Sequence, residues 1–346
     1  ISLYIMKTTE QRQHWMTFAT FAQQNYFVFP KPNTYYGVVL NANIVVHTPD
    51  AIAAFIISKT KHMRYLIDPI THAYQHDPSF ISNNKKEIVD GKIPIKTSFK
   101  KLADQYSEKL AQKLGHALKP QDVDQDVDQG LLEEIVSGNL NFQRTFLSNR
   151  IKRSEDAKYL EEKEITPYAV VAPYFFMGDN SRFDEWLNIN IQLINRTANK
   201  RNNNEKVFSE IVFSKEILYQ DDKIDNLIKG YYSLDKIDGH LIWIDEFDEQ
   251  NCSKKQIENY IKLIKGIRKD DNQEIINLHG GYFSILLSGD FANNTLTGIA
   301  HGPEFGEFRG VVPVGGGIPI ARYYVPALHS RVKVYTVQQY FSTLGY

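Results

Sequence analysis

Short apolar runs alternating with helix-patterned segments constrain this 346-residue chain more than any single motif does. Runs at residues 36–43, 64–67, 168–174, 207–213, 241–244, 274–278, 297–300 and 320–325 have the aliphatic and aromatic character of buried strands. Most are followed by stretches whose apolar residues recur every three or four positions, and such strand–helix alternation favours a parallel sheet. Eight units over this length predict an α/β fold, a (β/α)8 TIM-like barrel with a helical insertion. An open doubly wound α/β sheet is the alternative.

Two segments stand outside the repeat. Residues 8–25 predict an N-terminal helix, with Trp15, Phe18, Ala19, Ala22 and Tyr26 at helical spacing before the Phe29-Pro30-Lys31-Pro32 breaker. Residues 78–167 interrupt the rhythm with a polar loop and two helices near 98–118 and 130–148, joined by the tandem Asp122-Val123-Asp124-Gln125-Asp126-Val127-Asp128-Gln129. The expected organisation is an N-terminal helix and lead-in (1–35), the first βα units (36–77), a helical insertion (78–167) and the remaining βα units (168–346). Asp122, Asp124, Asp126 and Glu133 have the spacing of a calcium loop, but Val127 stands where that loop turns on glycine, so the ladder reads as an acidic linker.

Composition removes several function classes. The formal net charge is −1, so no global basic field indicates a nucleic-acid partner. Cys252 is the only cysteine, which excludes an internal disulfide framework and a thiolate zinc cluster. No apolar run reaches the ~20 residues that span a bilayer, and residues 1–9 lack the apolar core of a signal peptide. A cytoplasmic protein without a membrane partner is expected.

The ends of the expected strands carry the chemistry. They are Asn41 and Asn43, Asp68 and His72, Tyr174, Asp245 with Glu246, His279, and His301 with Glu304. In a barrel these ends converge on one mouth, where active sites form. Asp68, led in by apolar residues and followed by Pro69, is the expected general base, because a carboxyl at an apolar rim can have its pKa raised. Asp245 is the expected second carboxylate, and His279 and His301 the acid or electrostatic groups. Asn41, Asn43, His72, Tyr174 and Glu304 are expected to bind substrate.

Gly280, Gly281, Gly302 and Gly315-Gly316-Gly317 offer free N–H groups for an anion, with Arg309 and Arg322 as countercharge. A phosphate-bearing small molecule or a nucleotide is the expected ligand. No cofactor is expected. A divalent ion held by His279 and His301 with Asp68 or Asp245 is the metal alternative, although no His-x-His strand motif supports it. The run Leu241-Ile242-Trp243-Ile244-Asp245-Glu246 resembles the magnesium-binding strand of nucleoside triphosphatases, but no Gly-x-x-x-x-Gly-Lys-Ser/Thr loop accompanies it.

Asp68 at the end of the second expected strand, the late glycine loops and the run Arg322-Tyr323-Tyr324 together resemble tRNA-guanine transglycosylases. The resemblance implies base exchange at a ribose in a (β/α)8 barrel, using two aspartates. This chain lacks that family's three-cysteine, one-histidine zinc cluster and a second aspartate after Tyr324, so no residue role is carried over. The leading expectation is an enzyme of hydrolase or transferase type acting on a phosphate-bearing or nucleoside-like substrate at the barrel mouth. Base exchange is the second reading. A third is a non-catalytic barrel serving a multi-protein system, with residues 78–167 as the surface for a protein partner.

Overall fold

The computed structural model describes residues 12–18, 35–59, 63–82, 94–123, 129–289, 292, 295–302, 309–312, 322–325 and 330–344. The chain divides into two compact units, residues 1–312 and 313–346. Among the described residues the first contains eight strands: β1 Gln13–Phe18, β2 Gly37–Asn41, β3 Arg64–Asp68, β4 Val170–Val171, β5 Val207–Ser214, β6 Gly239–Asp245, β7 Glu274–Asn277 and β8 Gly298–His301. All pair in parallel, in the order β3-β2-β1-β8-β7-β6-β5-β4. That is the cyclic order of a (β/α)8 barrel with one gap in the ladder, between β3 and β4. The second unit contains an antiparallel hairpin, β9 Arg322–Val325 with β10 Ser330–Lys333, followed by the helix Val334–Leu344. Among the described residues no helix is long and apolar enough to cross a membrane.

A parallel sheet buries both faces, so each strand must be apolar on both sides. Trp15, Val39, Leu66, Val171, Phe208, Val212, Leu241, Trp243, Ile276 and Ala300 fill the barrel interior. Their neighbours Met16, Val38, Leu40, Tyr65, Ile67, Ile211, Phe213, Ile242, Ile244, Ile275 and Ile299 form the outer core. The helices Pro49–Lys59, Phe183–Asn199, Asp221–Tyr232 and Lys254–Ile267 cover that outer face. At the N-terminal end, Glu274 closes the interior. It accepts from Gln13 at 2.5 Å, from the Tyr168 hydroxyl at 2.6 Å, and from Lys206. The Arg64 guanidinium lies over the Tyr36 and Tyr168 rings, at 4.8 and 4.5 Å.

The expected helix over residues 8–25 is corrected over its described part, which is β1. Trp15 points into the barrel while Met16 and Phe18 point out, a period of two that pairing with β2 and β8 imposes. The helical spacing of Trp15 and Phe18 is coincidental, because neighbouring strands override a short local pattern. The run at 320–325 is corrected in the other direction. It supplies β9 of the hairpin rather than a barrel strand. Among the described residues the barrel sheet has the expected eight strands, with β1 in the place expected for the 320–325 run.

The gap between β3 and β4 is closed mostly by side chains. The one main-chain bond is from the Tyr168 N–H to the Tyr65 carbonyl, at 2.8 Å. One step up, Val171 donates to Gln143 Oε1 at 2.9 Å and accepts from Gln143 Nε2 at 2.7 Å, so a primary amide stands in for a missing strand residue. Asn139 also donates to the Val171 carbonyl, at 2.9 Å. Above it, Thr71 Oγ1 accepts from the Tyr174 N–H at 2.8 Å and donates to the Tyr174 carbonyl. The Gln75 amide repeats the pattern at Phe176, at 2.5 and 3.1 Å.

Gln143 and Asn139 come from the helical stretch between β3 and β4, from the helix Gln129–Asn141 and the π turn Phe142–Phe146 that continues it. That stretch therefore contributes to the barrel wall.

Removing the Gln143 amide leaves the buried Val171 N–H and Asn139 Oδ1 without that partner, at about 1–3 kcal/mol for each group, while the Val171 carbonyl keeps Asn139. Gln143→Leu should lower the stability of the first unit by about 2–4 kcal/mol in urea denaturation, with Gln143→Glu between it and the wild type. A Leu variant as stable as the wild type would show that the seam is held elsewhere.

Candidate functional site

Asp68 is the last residue of β3, and the two-residue alternation from Leu66 turns it inward at the C-terminal mouth. The carboxyl is buried, and Oδ1 accepts from the Ile70 N–H at 2.9 Å and from the Tyr174 hydroxyl at 2.8 Å. Burial pushes it up to about 6, against those two hydrogen bonds and the positive charge of Arg309, which pull it down. Pro69 does not by itself make the turn. Ile70 does, in the left-handed region at φ 46°, which brings its N–H back onto Asp68.

Asp68, Asn41, His279 and Arg309 line one cleft with Thr17, Phe18, Val39, Trp243 and Leu278. The indole of Trp243 organises one side of it. His279 packs on this ring at 4.8 Å and His72 meets it edge-on at 5.2 Å. His72 also stacks on the Tyr174 ring at 5.3 Å. Both histidines are neutral. Burial, then the nearby His76, lower His72 to about 3, while burial and the charge of Arg309 hold His279 well below the usual range.

Arg309 is brought to the mouth by a short strap, residues 309–312, tied to the end of β6. Its carbonyl accepts from the Trp243 indole at 3.1 Å and from the Glu246 N–H at 3.0 Å. Asp245 Oδ1 accepts from the Val311 N–H at 2.8 Å. Asp245 therefore anchors the strap that carries the cation, and burial raises its carboxyl above the ordinary range despite that hydrogen bond. Glu246 makes the turn with φ 49°. Arg309 is crowded by protein on its flanks, where its charge bears on Asp68 and Tyr174, yet it keeps contact with solvent.

Several expected site residues go elsewhere. His301 does not join His279. It follows the inward-facing Ala300, so it projects from the outer face of β8, where its Nε2 lies 2.7 Å from Nε2 of His14 on β1. Its Nδ1 faces the Gly302 carbonyl at 3.1 Å. A carbonyl can only accept, so Nδ1 carries the hydrogen, and in the neutral pair His14 donates to His301. Gly302 is thus a partner of His301 rather than part of the cleft. Asn43 lies in the helix Ala42–His47 and gives its backbone N–H to Asn41 Oδ1 at 3.2 Å, so Asn41 is the N-cap of that helix, and Asn43 is not among the residues lining the cleft.

The Gly280-Gly281 turn precedes the short helix Tyr282–Leu287, but its N–H groups are taken: that of Gly280 donates to the Ala300 carbonyl at 3.2 Å and that of Gly281 meets the chain's own Glu249. Glu249 accepts from the Ser284 N–H at 2.9 Å, from Ser284 Oγ and from Asn277. The N–H groups of Gly281 and Phe283 also favour its ionised form, against burial that raises it. An external anion would have to displace Glu249.

Glu304, Gly315, Gly316 and Gly317 lie outside the described residues, and Arg322 begins β9 of the second unit. The metal alternative lacks support from the histidine pair: His279 lines the cleft, whereas His301, although its charge bears on His279, is not among the lining residues and pairs with His14. Among the described residues no three His, Cys, Asp or Glu side chains gather as a metal site.

Glu210 lies in the middle of β5, away from the strand ends where the sequence places its chemistry. It is fully buried inside the barrel, beside the Tyr174 hydroxyl and Asp68. Burial and then the charge of Asp68 raise its carboxyl well above the ordinary range. The signal was legible as one acid in the apolar run Val207-Phe208-Ser209-Glu210-Ile211-Val212-Phe213, at the same parity as Phe208 and Val212.

The raised Asp68 carboxyl sets a sign for stability against pH. Between the ordinary value of 3.8 and about 6, the folded state keeps a proton that the unfolded chain has released. Its contribution is full below the first value and is lost as pH rises through the second, about 3 kcal/mol in all. Buried neutral histidines act in the opposite direction on the acid side, so the informative quantity is the difference between wild type and Asp68→Asn. In urea titrations from about pH 4 to 7 that difference should move against the wild type by about 2–3 kcal/mol. Parallel curves would mean that Asp68 titrates normally. Compared with known protein families and with curated proteins, the chain matches no family model and no curated protein.

Proposed function

We propose that this chain is an enzyme of hydrolase or transferase type whose active site is the C-terminal mouth of the barrel. Its substrate is a small anionic molecule, phosphate-bearing or nucleoside-like. The observation that carries the reading is Asp68: a buried carboxyl at the mouth, pushed up to about 6, in a cleft that also contains a solvent-contacting guanidinium. A base whose pKa lies near the working pH combines an available ionised form with useful proton affinity. Asp68 takes the proton from an attacking water or substrate hydroxyl, and the nucleophile's new bond displaces the leaving group.

Arg309 offsets the negative charge of the substrate and of the transition state, and its planar fork suits phosphate or carboxylate oxygens. The Trp243 ring supplies a flat apolar wall on which a base can lie. Neutral His279 offers one nitrogen as donor and one as acceptor without adding charge. Asp245 acts indirectly, by holding the strap.

The test is turnover of nucleoside 5′-monophosphates and sugar phosphates, followed by phosphorus and proton NMR. With a substrate identified, kcat/KM should rise with pH through about 6, because Asp68 must be ionised to act. Asp68→Asn keeps an acceptor for Ile70 and Tyr174, so it should stay folded while losing about 10²–10⁴-fold in rate. Arg309→Gln should raise KM for the anionic substrates by about tenfold or more. No turnover across the panel, or an Asn variant as fast as the wild type, ends this reading.

A further inference from the structure

Below the mouth, one ionisable side chain has no part in the chemistry described so far. Glu210 lies in β5 between the inward-facing Phe208 and Val212, fully buried. Its carboxyl oxygens accept no well-formed hydrogen bond among the described residues: the Tyr174 hydroxyl is close enough to bear on them, but its hydrogen is directed at Asp68. A carboxylate in that position would lose its hydration with no compensation, at a cost of several kcal/mol. A neutral acid has the smaller deficit and needs one acceptor for its O–H.

The Tyr174 hydroxyl bears on Glu210 from the segment after β4, the strand that borders β5, and donates its only hydrogen to Asp68 Oδ1 at 2.8 Å. Toward Glu210 it therefore has lone pairs alone to offer, which suit an acid O–H and repel a carboxylate. The remaining titratable groups around the trio do not reverse this. Tyr231 faces Glu210 from the helix Asp221–Tyr232, and Tyr106 faces Asp68 from the helix Thr97–Tyr106 while its hydroxyl donates to the Pro69 carbonyl at 2.9 Å. Both phenols are held neutral by burial, and His72, stacked on Tyr174, is neutral too. Arg309 is the cation, and it bears on Asp68 and Tyr174.

We infer that Glu210 is a positioning residue: as a neutral acid it donates to Tyr174, Tyr174 donates to Asp68, and this buried chain aims an ionised Asp68 at the mouth. The role rests on Asp68 being the base of the proposed reaction. Hydrogen bonds in series polarise one another, so the Glu210 O–H strengthens Tyr174 as a donor and stabilises the charge on Asp68. No proton has to travel along the chain. Asp68 receives one from the substrate side and returns it there.

Carbon-13 NMR of labelled side-chain carboxyls in the free protein tests this directly, with Asp68→Asn and Glu210→Gln assigning the two signals. Glu210 should hold the neutral-acid shift from about pH 5 to 8 while Asp68 titrates near 6. Glu210→Gln keeps a donor toward Tyr174 and should leave the Asp68 midpoint within about half a pH unit. Glu210→Met removes the donor and should raise that midpoint by about one unit or more.

The inference is overturned if Glu210 ionises below about pH 7, or if Glu210→Gln lowers the Asp68 midpoint by about one unit, as loss of a neighbouring negative charge would. A folded Met variant with an unchanged midpoint overturns it as well, and thermal melts identify any variant that has lost its fold. None of these readouts needs substrate. If they come out as stated while Asp68→Asn retains turnover, the enzymatic reading fails and the hydrogen-bond chain stands.

Discussion

The seam between β3 and β4 is the constraint on which the rest of the first unit depends. A parallel barrel hides its backbone groups by pairing every strand on both sides, and here one edge has almost no strand to pair with. Gln143, Thr71 and Gln75 each present an acceptor and a donor to one residue of the β4 segment, and Asn139 adds a second donor at Val171. The same edge carries Tyr174, whose hydroxyl crosses from this segment to Asp68 on the strand opposite. Closure of the barrel and orientation of the acid at its mouth are thus one arrangement. The long helical stretch between β3 and β4 is placed where the backbone needs it.

Burial and charge divide the interior into two unlike halves. At the N-terminal end, Glu274 receives three donors and shows the pattern of a satisfied carboxylate. Toward the C-terminal end, Asp68 receives two hydrogen bonds and Glu210 completes none. Two acids around one phenol in a dry interior do not both ionise, since the first charge raises the cost of the second. The result is one negative charge for the Asp68–Glu210 pair, on the acid at the mouth, with Arg309 and the neutral imidazoles of His72 and His279 nearby. That distribution suits proton abstraction from a substrate whose own negative charge Arg309 can hold.

Glycine-flanked polar clusters at strand ends look alike in sequence, yet they serve different purposes here. His279 does reach the cleft, whereas Gly280-Gly281 turns the chain onto Glu249, a carboxylate from the preceding loop that occupies the N-terminus of the next helix. A helix start with free N–H groups attracts whichever anion is nearest, and an internal one has the higher effective concentration. Asp245 shows the same diversion. It points toward the mouth as its parity requires, but its carboxyl is committed to the Val311 N–H.

The alternation of apolar runs with helical segments was enough to predict parallel strands and to favour a barrel over an open sheet, because both periodicities are local and each run must bury two faces, while closure itself rests on the pairing of β1 with β8. The inward register of Asp68 was legible for the same reason. Read by parity, Glu210 inside the barrel and His301 outside it were legible as well. What the chain's order could not reveal was pairing at a distance. β1 resembles a helix until β2 and β8 flank it, and the 320–325 run resembles a barrel strand until β10 takes it. Whether a strand-end carboxyl becomes a base or an anchor depends on which N–H group another segment brings to it, and the pKa of Asp68 depends on the burial that the closed barrel creates. Those are properties of tertiary neighbours, set by long-range packing and by the low dielectric of the interior.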